Sequence, residues 1–93
     1  MADIDVKATD QGDTYECQVT VSDARGETRH RVTLLKTYYE RLAGTQVSPE
    51  TLVTASFRFL LEREPKESIL RSFDLSVIGR YFPEYEREIS KRL

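Results

Sequence analysis

At 93 residues, with 39% hydrophobic and 32% charged side chains, the chain is long enough for one modest core and too apolar to be read as disordered. Its 14 basic and 16 acidic residues leave a formal charge of −2, and neither half carries a positive excess, which excludes a global field drawing the protein onto nucleic acid or an anionic membrane. A single cysteine excludes an intramolecular disulfide and argues for a cytoplasmic protein; with a single histidine beside it, a Cys and His zinc site within the chain is excluded as well.

The opening residues Met1-Ala2-Asp3-Ile4-Asp5 are acidic and lack the basic and then apolar pattern of a secretory signal. No apolar run approaches the roughly 18 residues that a membrane span needs, so no membrane partner is expected. Ile4, Val6 and Ala8 alternate with Asp5, Lys7 and Thr9, which predicts a third strand if this segment is not frayed, and Asp10-Gln11-Gly12-Asp13 is the turn that follows it. From Tyr15 to Ser22 the period of two is strict, with Tyr15, Cys17, Val19 and Val21 on one side and Glu16, Gln18, Thr20 and Ser22 on the other.

The alternation resumes after Asp23-Ala24-Arg25-Gly26, with Thr28, His30, Val32 and Leu34 on the inner parity. A slip of one residue would turn the whole second strand to the wrong face. One register avoids this: Val21 opposite Thr28, Val19 opposite His30, Cys17 opposite Val32 and Tyr15 opposite Leu34, with Gly26 closing a four-residue loop.

Leu35, Tyr38, Tyr39 and Leu42 then follow helical spacing, giving a first helix from about Leu34 to Ala43 with Gly44 as its C-cap. Ser48, Pro49 and Glu50 form a helix start by side-chain cap, fixed φ and dipole. The second helix, running through Arg63, is apolar over more than half its circumference and is expected to be the central one. Pro65 ends it at Glu64; Ile69, Leu70 and Phe73 predict a short third helix, Asp74 caps a fourth carrying Leu75, Ile78 and Phe82, and Pro83 restarts a last one with Tyr85, Ile89 and Leu93 inward.

The fold class is therefore α+β: an N-terminal antiparallel meander of two or three strands followed by four to five short helices packed on one face of the sheet. Residues 1–93 form one domain, with the sheet in 1–34 and the helical half in 34–93.

Candidate chemistry is sparse, and no catalytic, cofactor or metal residue is assigned. The four glycines are scattered, so there is no phosphate cradle, and the carboxylates Glu62, Glu64, Glu67, Glu84 and Glu88 are interleaved with basic residues as on a solvated helix surface. Cys17 and His30 share the inner face of the hairpin one position out of register. They are the nearest approach to a catalytic pair, although a buried thiol beside a packed imidazole fits the same pattern, and the chain is read as a non-enzyme.

Arg29 and Arg31 point outward together, with Arg25 at the turn and Lys36 just beyond, a stripe of cations with no aromatic to stack a base. Tyr81-Phe82-Pro83-Glu84-Tyr85 is an aromatic cluster suited either to a recognition surface or to a corner of the core. The residues expected to form an interaction surface are Arg25, Arg29, Arg31, Lys36, Tyr81 and Tyr85, with the edge of the first strand as a further docking place. They suit a non-enzymatic protein-interaction or regulatory module whose partner is another protein or a second copy of this chain. The alternative is a nucleic-acid-binding accessory domain using the basic strand face.

Overall fold

The computed structural model describes residues 2–44 and 46–93. Three long antiparallel strands come first: β1 Asp3–Asp10, β2 Thr14–Asp23 and β3 Gly26–Leu35. The helices are α1 Lys36–Ala43, α2 Pro49–Leu61, α3 Val77–Tyr81 and α4 Tyr85–Arg92. A 3-10 turn at Lys66–Ser68 and a short strand β4 at Ser72–Asp74 lie between α2 and α3. The class is α+β, with one four-stranded sheet in the order β1-β2-β3-β4.

The hairpin register follows the side-chain alternation, with Tyr15, Cys17, Val19 and Val21 opposite Leu34, Val32, His30 and Thr28. Gly26 takes φ 129°, outside the range a Cβ tolerates, and Asp23 Oδ1 accepts from the Arg25 amide at 2.8 Å to brace the turn. The first strand is ordered, pairing from Asp3 opposite Ser22 to Asp10 opposite Tyr15, and Asp10 Oδ1 accepts from the Gly12 amide at 2.9 Å in the connecting turn.

Several boundaries differ from the sequence expectation: α2 ends at Leu61 rather than running through Arg63, and Asp23 pairs with Gly26, so the hairpin loop is Ala24-Arg25 alone rather than four residues. The third strand runs on to Leu35, because Leu34 and Leu35 still pair with Tyr15 and Thr14, so α1 starts at Lys36 rather than Leu34. The expected helix at Ile69–Phe73 is instead the 3-10 turn followed by β4, which pairs in parallel with β3 through Arg31–Ser72, Val32–Phe73 and Thr33–Asp74. Sheet pairing supplies long-range hydrogen bonds that outweigh a helical spacing only one turn long. The sheet is thus mixed and four-stranded, and Asp74 ends a strand while its carboxylate accepts from the amide and hydroxyl of Ser76.

The start of α2 is as its residues dictate, with the Ser48 hydroxyl accepting from the Thr51 amide at 3.1 Å. Six of its side chains, Leu52, Val53, Ser56, Phe57, Phe59 and Leu60, are buried. They pack over the inner face of the sheet, with α2 running closest to β1 and β2, and Cys17, Val19, Val21, Val32 and Leu34 are sealed from solvent. Tyr85 and Ile89 of α4 close the core from the other side, while Leu93 falls beyond the helix and remains partly exposed. The outer face of the sheet, including Gln18, Arg29, Arg31 and Thr33, faces water. Among the described residues no helix is long and apolar enough to cross a membrane.

Candidate functional site

The six residues singled out for a surface are not all at the surface, since Tyr85 is buried. Arg29 and Arg31 lie on the open face of β3 as expected, but each has an acidic partner: Arg29 Nη2 is 3.0 Å from Glu27, and Arg31 Nε is 3.2 Å from Glu16. Glu16 lies opposite Thr33, so it meets Arg31 along the diagonal of the ladder, within reach of two long side chains. Lys36 turns onto Asp10 at 2.7 Å and lies over the Tyr15 ring. Arg25 alone of the four has no ion pair among the described residues. The expected stripe of cations is in fact an alternating array of charges.

Tyr81 and Tyr85 part company. Tyr81 ends α3 with 68% of its surface in solvent, whereas Tyr85 is fully buried, and this removes Tyr85 from the expected surface. The extended Phe82 (φ −129°) and the Pro83-Glu84 turn reverse the chain between them. The Tyr85 ring packs on Phe59 with centroids 5.3 Å apart, and its hydroxyl meets that of Ser56 at 2.6 Å. Burial holds the Tyr85 hydroxyl in its protonated form.

Cys17 and His30 are both buried, but neither nitrogen of the imidazole faces the thiol. The Leu70 carbonyl can only accept, so Nδ1 carries the proton and donates to it at 2.7 Å. Nε2 then accepts from the Thr28 hydroxyl at 2.8 Å. Burial lowers the pKa of His30 and pushes the Cys17 thiol up to about 11, with Glu50 and Glu16 adding to the latter. Each group is held in its neutral form.

One apolar groove is not visible in the sequence. A groove of about 250 Å³ opens between the C-terminal turn of α2, the 69–73 segment and α3. Leu60, Leu70, Phe73, Val77 and Tyr81 line it, with Glu64 and Ser68 as its polar groups. Leu70, 48% exposed, and Tyr81 stand on its rim, two of the four large hydrophobic side chains exposed among the described residues. Glu64 is half-buried and has no ion-pair partner among the described residues. Its neighbour Arg63 is turned away, stacked on the Phe59 ring at 3.6 Å and reaching toward Glu84.

The groove depends on β4. Had Ile69–Phe73 been helical, Leu70 and Phe73 would lie on one helix face; as an extended segment they open toward α3. The sequence signal for this is the alternation of Phe73 and Leu75 with Ser72 and Asp74, too short to outweigh the helical spacing around it.

Among the described residues, no group of three or more His, Cys, Asp or Glu side chains is arranged to hold a metal ion. Neither protein-family models, nor curated proteins, nor solved structures give a match to the chain. The groove and the sheet face therefore have to be judged on their own chemistry.

Proposed function

We propose that this chain is a non-enzymatic protein-interaction module that captures an apolar side chain of a partner protein in the groove between α2 and α3. The observation that carries this reading is the groove itself, an apolar cleft of about 250 Å³ with two large hydrophobic side chains, Leu70 and Tyr81, exposed at its mouth. Sites for cofactors and drug-sized ligands typically begin at about 300 Å³ and carry several converging polar groups. This groove is smaller and offers one carboxylate and one hydroxyl, which suits one or two inserted side chains better. An exposed aromatic beside an apolar pocket is also the usual make-up of an interface anchor.

Glu64, which lines the groove and has no ion-pair partner among the described residues, gives that end of the groove a carboxylate to meet a cation. A partner segment carrying Leu, Met or Phe next to Lys or Arg is complementary on both counts. The test is peptide selection from a random library on the immobilised protein, followed by titration of the selected sequence into isotope-labelled protein. Apolar and basic sequences that shift the amides of Leu70, Val77 and Tyr81, and lose binding in Leu70→Glu and Tyr81→Glu, support the reading. Selected peptides that shift only the outer sheet face, or that bind both variants unchanged, refute it.

A further inference from the structure

β1 lies at the edge of the sheet with only β2 beside it. Its pairing with β2 is unbroken from Asp3 to Asp10, with neither a bulge nor a proline to spoil the edge. A long regular edge leaves a row of main-chain N–H and C=O groups without a neighbouring strand and is a template for another one. The inward side chains of β1 are under-covered too: Ile4, Val6 and Ala8 remain half-buried, whereas Cys17, Val19 and Val21 beside them on β2 are sealed.

The outer face of β1 supplies the charge pattern that selects the occupant. Asp5 and Lys7 are exposed, lie beside the neutral Thr20 and Gln18 of β2, and have no ion-pair partner among the described residues. If a second β1 is laid antiparallel so that Val6 faces Val6, then Asp5 faces Lys7 of the second copy and Lys7 faces its Asp5. Ile4 faces Ala8 on the apolar side. Centring the pair on Asp5 sets two aspartates opposite each other and, although Lys7 then faces Asp3, leaves only Asp3 to Lys7 paired, and centring it on Lys7 sets two lysines opposite. A shift by a single residue continues the apolar face of one copy into the polar face of the other.

We infer that the protein forms a two-fold symmetric homodimer in which the β1 strands pair antiparallel about Val6, joining the two sheets into one of eight strands with all helices on the same side. The two-fold axis stands perpendicular to the sheet, so the apolar strips Ile4-Val6-Ala8 become continuous across the junction. One strand pair is a small interface, and the dimer dissociates on dilution. This inference stands apart from the groove, whose side chains it does not use.

The experiment is sedimentation equilibrium from about 10 µM to about 1 mM on wild type, Asp5→Lys, Lys7→Asp and the double variant. Both positions are exposed, so folding is kept, as circular dichroism will check. Each single variant places like charges opposite each other at two symmetric points, and the dimer should weaken by about tenfold or more. An equimolar mixture of the two single variants should recover the dimer, since one chain then carries lysine at both positions and the other aspartate at both. The double variant, which exchanges the two charges within each chain, should recover it alone. Wild type that stays monomeric to the highest concentration, or a dimer indifferent to both charge reversals, overturns the inference. A dimer lost in Tyr81→Glu but kept in Asp5→Lys overturns it equally, because the groove would then be the self-contact.

Discussion

The imidazole of His30 joins β3 to the segment that forms the groove: its Nδ1–H donates to the Leu70 carbonyl at 2.7 Å across 40 residues of chain. The Phe57 ring lies against it with centroids 5.3 Å apart, and the Thr28 hydroxyl satisfies its other nitrogen. Burial favours the neutral ring, so the folded-state pKa lies below the value of about 6.5 in an unfolded chain. Between those two values the unfolded state binds a proton that the folded state does not. The stability that this ring contributes is therefore complete above about pH 6.5 and is lost as pH falls toward the lower folded value. Urea midpoints measured from about pH 5.5 to 7.5 should fall with acidification in the wild type and be flatter in His30→Gln.

The contact between Ser56 and Tyr85 makes an asymmetric prediction. The Ser56 hydroxyl also donates to the Leu52 carbonyl at 2.8 Å, so Tyr85→Phe leaves Ser56 satisfied and should cost about 1 kcal/mol. Ser56→Ala instead strands a buried tyrosine hydroxyl, whose desolvation costs about 1–3 kcal/mol, reduced by the better helix propensity of alanine. Denaturant unfolding of the two variants should rank Ser56→Ala as the less stable. The opposite order would mean that water reaches the Tyr85 hydroxyl.

Lys66 is 4% exposed, and its ammonium lies 3.0 Å from both carboxylate oxygens of Asp23 and 2.6 Å from Glu67. It pins the tip of the β2–β3 hairpin to the chain leaving α2. Asp23→Asn keeps a side-chain acceptor for the turn but leaves the buried cation with Glu67 alone, whereas Lys66→Met keeps the packed stem and frees two carboxylates that are already at the surface. Thermal unfolding at pH 7 should therefore show the larger loss in Asp23→Asn. The hydrogen bond from Lys66 also depresses the pKa of Asp23, so this contribution is present above the ordinary carboxylate value of about 3.9 and fades as pH falls through the depressed one. The gap between wild type and Asp23→Asn should close in acid.

The hairpin is legible because a sheet with one buried face writes its register into a period of two, and the sequence keeps that period from Tyr15 to Ser22 in β2 and from Glu27 to Leu34 in β3. The cap of α2 is legible because Ser48 and Pro49 act locally. β4 is not, since three residues cannot establish a period, and what makes them a strand is the exposed edge of β3 some 40 positions earlier. The same limit hides the groove, which needs Leu60, Leu70 and Tyr81 from three elements. The pairing of Arg31 with Glu16 escapes for a different reason: the register names directly opposite neighbours, while the diagonal ones that long side chains reach decide the outcome.

Cys17 gives the sharpest test of the sealed sheet face. It lies opposite Val32 on β3 and Ala8 on β1, has no solvent exposure, and its thiol is pushed up to about 11 by burial. The thiolate is the reactive species, so at pH 8 only about one molecule in a thousand would carry it even if reagent could reach the sulfur. Reaction with a disulfide reagent should be negligible in the native protein and complete after unfolding in urea, and the native rate should track the opening of the β1–β2–β3 sheet. Comparison of that rate at low and high protein concentration also bears on the β1 edge. A second copy paired along β1 would slow the opening of the strand beside Cys17, so the rate should drop as concentration rises in the wild type and stay constant in Asp5→Lys.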